Sequence, residues 1–336
     1  MKDTPHLPRQ IRVSAGSAIV LGLANGKLDA APTTAYLMTY RKARCNANCA
    51  FCPQARESKG RADMLSRVSW PSYQTRLVID GISRASENGK AKRVCIQALN
   101  YPQVFDHLVA LVKTICSHVN IPISVSCQPL TRDNVVQLTR AGIERIGIPL
   151  DAPSEEIFTS IKGVLAGGPY DWKTQWQSLN EAVSILGRGK VSTHFIVGLG
   201  ETERQMVEAI QRCIDMGVLP GLFAFTPIPG TTLAEKSQPP LAKYRRIQIA
   251  RYLILNGIAR CEDMSFDDKD DLSDFGVDDE TLLHIAKKGE AFRTSGCPDC
   301  NRPYYNEKPT GPLYNYPNRL TKDEVRAVEK QLGLFR

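Results

Sequence analysis

The sequence predicts an α/β protein whose parallel sheet forms a partial (β/α)6 barrel of the TIM type, with N- and C-terminal extensions. Between residues 33 and 257, short β-branched runs alternate with longer amphipathic segments, and such alternation is typical of parallel sheets with helical crossovers. The 336 residues, 42% of them hydrophobic, suffice for one barrel of about 250 residues with additions at both ends. A cysteine-rich loop directly follows the first strand, where sites lie in parallel α/β folds.

The predicted elements fall into an N-terminal extension (1–32), a barrel (33–260) and a C-terminal extension (261–336). Strands are predicted where β-branched and aromatic residues cluster, and helices where apolar residues recur at helical spacing. The strands are 33–40, 93–98, 121–127, 145–150, 191–199 and 222–228, and 257–264 is a candidate for one more. The helices are 71–88, 104–119, 131–141, one or two within 154–186 that break at 163–169, 203–216 with Thr202 as N-cap, 242–255, 280–292 and 322–332.

Composition narrows the class of protein. No apolar run approaches the roughly 20 residues of a membrane span, and the first ten residues lack a signal-peptide apolar region. Ten cysteines in such a chain indicate reduced thiols and metal ligands, so we expect a cytoplasmic protein. The net charge of +8 suits an acidic protein partner or an ordinary solvated surface, and no basic and aromatic cluster indicates nucleic-acid binding.

The cysteine-rich loop reads Cys-Asn-Ala-Asn-Cys-Ala-Phe-Cys from Cys45 to Cys52. A compact loop can aim the thiolates of Cys45, Cys49 and Cys52 at one point, and thiolates are soft ligands. Three thiolates on a [4Fe–4S] cluster leave one iron open to a small molecule. A closed zinc site requires a fourth nearby Cys or His, which the loop lacks. A zinc site completed from elsewhere in the chain, or chance clustering of core cysteines, are the alternatives.

With Phe51 before its last thiol, this loop resembles the signature of the radical S-adenosylmethionine (SAM) enzymes, and the run Cys52-Pro53-Gln54 resembles biotin synthase. The resemblance implies that the amine and carboxylate of SAM chelate the open iron. It also implies that one electron from the cluster then cleaves SAM to a 5′-deoxyadenosyl radical. An electron donor such as ferredoxin or flavodoxin is implied as a partner.

The same resemblance implies SAM contacts along a surface that involves Phe51, Asp151, Ile196 and Gly198. Ile196 matches the position that packs the adenine, and the Asp151 carboxylate matches one that holds the ribose hydroxyls. Asp151 has a rival interpretation as the N-cap of the next helix. Gly198 lies in Gly-Leu-Gly-Glu, which is otherwise a bare glycine turn. His194 either lines the cavity or is a satisfied core histidine.

A second set of thiols is predicted to bind an auxiliary [4Fe–4S] cluster. Cys297 and Cys300 form a CxxC motif near the end of the chain, which is typical of metal or redox sites. Cys95 and Cys127 match two biotin synthase cysteines that hold a sulfur-donating cluster, whereas Ser192 stands at the third. We therefore expect the tail to fold over the barrel mouth and complete the site. The alternative is that Cys95 and Cys127 are buried core thiols.

The remaining thiols have weaker claims to a metal. Cys261 or Ser295 is a reserve ligand for the auxiliary cluster, and the sequence does not decide between them. Cys116 and Cys213 fall on predicted helices, and we expect both in the core.

The tail resembles that of lipoyl synthase, where a serine of Arg-Ser-Ser caps the auxiliary cluster; here the run is Arg293-Thr294-Ser295. The whole pattern resembles the archaeal-type two-protein lipoyl synthase. Pro149 and Phe223 replace two polar residues of biotin synthase, which fits an acyl chain better than a ureido ring. The resemblance implies sulfur insertion into an octanoyl chain on a lipoyl carrier protein, together with a sister radical SAM protein.

Two alternatives stay open at this stage. One is a biotin-synthase-like radical SAM enzyme that acts on a free small molecule. The other is a non-catalytic iron–sulfur protein, which the open three-cysteine loop disfavours because electron carriers close their clusters with four ligands. The sequence does not indicate which octanoyl carbon would receive sulfur.

Overall fold

The computed structural model describes residues 6–333 of the chain. The first five residues of the predicted N-terminal extension, and residues 334–336, lie outside the described residues. Ten helices and twelve strands are present in this range.

The strands are β1 (Gln10–Val13), β2 (Thr34–Thr39), β3 (Met64–Leu65), β4 (Val68–Ser69), β5 (Ser72–Gln74), β6 (Arg93–Gln97), β7 (Ile123–Ser126), β8 (Arg145–Gly147), β9 (Val191–Val197), β10 (Val218–Ala224), β11 (Ser265–Phe266) and β12 (Leu272–Asp274). The helices are α1 (Ala15–Val20), α2 (Thr75–Glu87), α3 (Val104–His118), α4 (Arg132–Ala141), α5 (Glu155–Ile161), α6 (Trp172–Leu186), α7 (Glu203–Met216), α8 (Leu241–Leu255), α9 (Asp279–Lys288) and α10 (Lys322–Leu332).

One mixed sheet of eight strands organises the chain, in the order β10-β9-β8-β7-β6-β2-β1-β5. Six strands pair in parallel and lie in chain order: β2, β6, β7, β8, β9 and β10. β1 and β5 extend the sheet antiparallel beyond β2. The predicted parallel α/β architecture with its alternating units is confirmed, and barrel closure stays a prediction.

Local signals set most of the element ends. Thr202 caps α7 through a capping box, in which Thr202 Oγ1 accepts from Gln205 N at 3.2 Å and Gln205 Oε1 accepts from Thr202 N at 3.1 Å. The predicted break inside 154–186 is confirmed, because α5 ends at Ile161 and a 3-10 turn, Val164–Ala166, precedes α6. Ser154 caps α5, so the rival interpretation of Asp151 as a helix cap is wrong.

Several predicted boundaries are wrong. The helix expected at 71–88 begins at Thr75, because Ser72–Gln74 form β5, and the strand expected at 145–150 ends at Gly147. The strand expected at 222–228 begins four residues earlier, because Val218 pairs with Val191 at the start of β9; β10 carries Pro220, which an edge strand tolerates. The candidate strand at 257–264 contains the 3-10 turn Cys261–Asp263 instead. The helix expected at 280–292 ends at Gly289, whose φ of +73° stops the α-helix before a further 3-10 turn.

Both ends of the described chain pack onto the core formed by the sheet and its helices. Ile11 of β1 and Val328 of α10 belong to the same buried cluster as the strands. Arg245 of α8, which is fully buried, donates to the carbonyl of Tyr314 at 2.6 Å and to the side chain of Gln331 at 2.8 Å. These bonds hold the C-terminal extension against the helix layer.

Candidate functional site

A central cavity of about 270 Å³ lies against the parallel strands. Side chains of all six strands from β2 to β10 line it, so the sheet curves around the cavity. The thiols of Cys45, Cys49 and Cys52 line the same cavity, and their loop follows the carboxyl end of β2. The structure therefore brings the three predicted cluster ligands to one space.

Backbone hydrogen bonds hold the loop in shape. Cys45 N donates to Gln54 O at 3.1 Å, and Cys52 N donates to Cys49 O at 3.0 Å. Asn100 N, after β6, donates to the Sγ of Cys45 at 3.1 Å. This contact fixes the position of the Cys45 sulfur beside the cavity.

The loop thiols are enclosed by protein. Burial raises the pKa of Cys52 to about 12, and burial raises the pKa of Cys49 well above its ordinary value although Lys162 opposes the shift. Such thiols lose their protons when a soft metal centre binds. Among residues 6–333, no three His, Cys, Asp or Glu side chains converge tightly enough for a single metal ion. The three thiols border an open cavity, which suits a cluster that keeps one iron open to a ligand.

Asp151 is the centre of a buried charge network at the cavity wall. Its Oδ2 lies 2.6 Å from Lys162 Nζ, and its Oδ1 lies 2.9 Å from His194 Nε2. Burial by itself would raise the pKa of Asp151, but the ammonium of Lys162 and the imidazole of His194 outweigh burial and hold that pKa well below its ordinary value. The carboxylate is thus ionised, with each oxygen already paired inside the protein.

Of the other predicted SAM contacts, two line the cavity and one does not. Phe51 and Ile196 line the cavity, as does His194. Gly198 is not among the described residues that line it. Its amide donates to the buried Glu201 carboxylate at 2.8 Å, and a Cβ at its position would lie 2.9 Å from Pro239. Gly198 thus has the role of a glycine turn, and the predicted SAM contact there finds no support in the cavity lining.

Cys95, Cys297 and Cys300 meet at one level of the sheet. Cys95 on β6 pairs with Tyr36 on β2 and with Ser124 on β7. Cys300 Sγ lies 3.1 Å from the hydroxyl of Tyr36, and Cys297 Sγ lies 3.5 Å from the hydroxyl of Ser124. The CxxC motif therefore flanks Cys95 on both sides, and burial together with the two neighbouring thiols raises the Cys95 pKa to about 12.

The CxxC part of the tail lies near the amino ends of the parallel strands. Thr33, just before β2, donates its amide to Asn301 Oδ1 at 3.1 Å, and Lys92, just before β6, lies 3.4 Å from Asp299. The CxxC motif thus packs at the amino ends of the strands, whereas the Cys45 loop follows a carboxyl end. Further along, the tail reaches the carboxyl ends of the strands, where Ser66 Oγ donates to Tyr305 O at 3.1 Å and Thr226 Oγ1 donates to Asn306 O at 3.1 Å. That the tail folds over the barrel mouth to complete an auxiliary cluster stays a prediction.

The tail then runs between the two ends of the parallel strand series. Leu222 N on β10 donates to Ser295 Oγ at 2.7 Å, and Arg302 N donates to the Tyr36 hydroxyl on β2 at 3.2 Å. The Arg302 guanidinium lies 4.4 Å from the ring centroid of Phe223 on β10. The tail therefore forms the part of the cavity wall between β10 and β2.

The structure does not bring Cys127 to the tail thiols. Cys127 lies three residues beyond Ser124, which at about 3.3 Å per residue places it about 10 Å further along the strand direction. It is buried, and burial alone raises its pKa to about 12. Its predicted place in the auxiliary site therefore fits the geometry less well than Cys95 does.

The other thiols are placed as follows. Cys261 packs on the outer surface beside Arg204 and Glu208, so it is wrongly placed for a reserve ligand, whereas Ser295 lines the cavity. Cys213 is buried as expected, but Cys116 is exposed, contrary to expectation.

Sequence reasoning missed four cations that line the cavity: Arg145, Lys162, Arg251 and Arg302. None stands out among 43 basic residues, and Arg145 pairs with Glu144. Arg251 Nε donates to Pro220 O at 2.6 Å, and burial lowers the pKa of Arg251 to about 10. No carboxylate within residues 6–333 forms an ion pair with Arg251 or Arg302. Only their position in the cavity lining distinguishes Arg251 and Arg302 from other basic residues, and no spacing in the sequence indicates that position.

Comparison with known proteins identifies the family. The model of the Radical SAM superfamily matches residues 41–213, which is more than half of the chain. The chain belongs to the radical SAM superfamily, whose members bind a [4Fe–4S] cluster and SAM. No helix within the described range has both the length and the apolar character needed to cross a membrane.

Curated relatives include biotin synthases. That of Cyanothece sp. is 24% identical over 237 residues, covering 67% of this chain and 59% of the relative. That of Mycobacterium leprae is 24% identical over 229 residues, covering 67% of this chain and 62% of the relative. The chain thus spans about three-fifths of these relatives.

Solved structures with a similar fold include methylornithine synthase, with a TM-score of 0.50 and 12% identity over 71% of this chain and 66% of that one. The FeFe-hydrogenase maturase HydG from Carboxydothermus hydrogenoformans gives a TM-score of 0.51 and 18% identity over 64% of this chain and 49% of that one. At these identities the likeness concerns the fold alone.

Proposed function

We propose that this protein is a sulfur-inserting radical SAM enzyme of the lipoyl synthase type, acting on an octanoyl chain attached to a lipoyl carrier protein. The observation that carries the proposal is the second set of cysteines, Cys95, Cys297 and Cys300. Cys297 contacts Ser124 and Cys300 contacts Tyr36, and these two residues pair with Cys95 from the neighbouring strands. A radical enzyme that only rearranges its substrate needs one cluster, whereas sulfur insertion needs a sulfur source within reach of the substrate carbon.

The cavity between the loop cysteines and the second set of cysteines suits an acyl chain. Pro149 and Phe223 line it where biotin synthase has polar residues, and Met38 and Ile196 add apolar surface. Apolar side chains exclude water from an alkyl chain, which also protects a carbon radical from quenching.

The loop cysteines Cys45, Cys49 and Cys52 would hold the [4Fe–4S] cluster. Together with SAM, that cluster supplies a 5′-deoxyadenosyl radical able to remove hydrogen from an unactivated carbon. Asp151 and Lys162 lie at the cavity wall as a paired carboxylate and ammonium, and the resemblance places Asp151 beside the ribose hydroxyls of SAM. The protein's own contribution is to hold the octanoyl carbon between the two sets of cysteines and to exclude water.

The sulfur source is a second iron–sulfur cluster, which is consumed as a substrate. Cys95, Cys297 and Cys300 are its proposed ligands, and Arg302 beside Cys300 would offset its negative charge. The proposed partners are the octanoylated carrier protein, a sister radical SAM protein that adds the other sulfur, and a one-electron donor.

A second candidate is a biotin-synthase-like enzyme that acts on a free small molecule. The curated biotin synthase relatives are compatible with it. Arg251 favours it specifically, because a guanidinium in the cavity without a carboxylate partner suits a free acid.

The test uses anaerobically reconstituted protein, SAM, dithionite and an octanoylated carrier peptide. The wild type should form 5′-deoxyadenosine and sulfurated peptide. A Cys297→Ala/Cys300→Ala variant should still cleave SAM but insert no sulfur, whereas Cys52→Ala should lose both activities. The exposed Cys116→Ala serves as the matched control. Unchanged sulfur insertion in the double variant, or turnover of a free acid but not of the peptide, would overturn the proposal.

A further inference from the structure

The outer side of the cluster loop is basic. Residues 41–67 hold seven Lys or Arg and two Asp or Glu, in a chain whose net charge is +8. Lys42, Arg56 and Lys59 are exposed there. Within the described range neither Lys42 nor Lys59 has a carboxylate within ion-pair distance, whereas Arg56 pairs only with exposed Glu57. The stretch around the loop therefore presents a positive field to solvent.

An exposed apolar pair adjoins this basic surface. Val164 and Leu165, on the 3-10 turn between α5 and α6, are 74% and 76% exposed. The turn is tied to the cluster loop, because Asn48 Nδ2 donates to Ala166 O at 2.7 Å and Ala50 N donates to Ile161 O at 2.7 Å. An apolar pair rimmed by charge is typical of an interaction site.

This surface is separate from the lining of the substrate cavity. The loop thiols line the cavity, whereas within the described range its lining does not include Lys42, Arg56, Lys59, Val164 or Leu165. A partner seated here contacts the loop that carries the cysteines and leaves the cavity free. That position suits a protein that delivers an electron better than one that delivers an acyl chain.

We propose that Lys42, Arg56, Lys59, Val164 and Leu165, here named the loop-back surface, dock a small acidic one-electron carrier protein. The inference rests on the radical SAM part of the proposed function, since the cluster must be reduced. One electron leaves the reduced carrier, which is oxidised by one electron, and enters the cluster on the loop, which is reduced by one. No covalent bond or proton moves. Opposite charges steer the encounter, and the apolar pair supplies the dry centre of the contact.

The experiment measures SAM cleavage without acyl substrate, driven either by a reduced flavodoxin or by dithionite. The test variants are Lys42→Glu/Lys59→Glu and Val164→Ser/Leu165→Ser. Lys90→Glu/Lys113→Glu is the control, because it makes the same charge change at exposed positions elsewhere. The half-saturating flavodoxin concentration should rise on the order of tenfold in each test variant. The dithionite-driven rate should stay within about twofold of wild type in all variants.

Two outcomes would overturn the docking proposal. One is an unchanged flavodoxin dependence in both test variants. The other is an altered dependence on octanoylated carrier peptide with dithionite as reductant, which would assign the surface to the substrate protein. Calorimetric titration with oxidised flavodoxin tests docking even if no SAM is cleaved, and equal affinity of wild type and Lys42→Glu/Lys59→Glu would refute it. Failure of SAM cleavage with dithionite in the wild type would instead refute the cluster assignment.

Discussion

Replacing Asp151 with Asn should destabilise the protein strongly, because it leaves the Lys162 ammonium buried without its counter-ion. The two side chains are 5% and 4% exposed, and their charged atoms lie 2.6 Å apart. Removing one partner of a buried pair costs about 3–5 kcal/mol. At about 2 °C per kcal/mol for a chain of this length, the melting temperature should fall by about 6–10 °C.

The chain offers a matched control in Asp270→Asn. Arg204 and Asp270 also lie 2.6 Å apart, but both side chains are 42% exposed. Asp151 and Asp270 have φ values of +67° and +60°, a region that Asn tolerates as well as Asp, so backbone strain changes little in either variant. Because exposed pairs contribute about 0–1 kcal/mol, Asp270→Asn should shift the melting temperature by less than about 2 °C.

The assay is thermal unfolding of the cluster-free protein, followed by circular dichroism at pH 7. Adding Lys162→Met to Asp151→Asn should restore much of the loss, since the unpaired buried charge is then gone. The Asp151 pKa is lowered by folding, so its stabilisation is complete above the unfolded pKa of about 3.9 and declines as the pH falls below it. Equal melting shifts for Asp151→Asn and Asp270→Asn, or no recovery in the double variant, would refute the reasoning.

Three further predictions concern the thiols and the tail. Reconstituted wild type should bind about eight iron atoms per chain, and a variant with Ala at all three loop cysteines should bind about four, as measured together with acid-labile sulfide. About four iron atoms in the wild type and none in the variant would exclude a second cluster. Cys95→Ala should lower the iron content of the wild type to about four while Cys127→Ala leaves it near eight, and the reverse would place Cys127 in the site. Arg245→Met should cost about 1–3 kcal/mol in urea unfolding, because it removes the donor to Leu313 O and one of the two donors to Tyr314 O. A cost equal to that of an exposed Arg132→Met control would contradict this.

Several features were accessible from sequence because they depend on neighbouring residues. The x3 and x2 spacing of Cys45, Cys49 and Cys52 brings three thiols to one loop whatever surrounds it, and the structure confirms that they line one cavity. The cap of α7 at Thr202 follows from the residue types three positions apart. The alternation of strands and helices follows from hydrophobic periodicity, which a single chain displays directly.

The errors have a common cause in long-range packing. Cys127 and Cys95 both lie on predicted strands, but strand register places only Cys95 opposite Tyr36 and Ser124, where the tail thiols arrive. The tail's approach from the amino ends of the strands depends on contacts with Thr33 and Lys92, more than 200 residues earlier in the chain. No local pattern encodes such a contact.

The sequence by itself determined the superfamily and the parallel α/β plan, and it predicted the radical-cluster ligands, because these features follow from local spacing and periodicity. Only the tertiary structure decided which distant groups meet. It paired Lys162 and His194 with Asp151, set Arg302 against Phe223, and placed Val164 and Leu165 beside the basic loop. These arrangements depend on how strands register and where loops return, which is a property of the packed chain and not of any one segment.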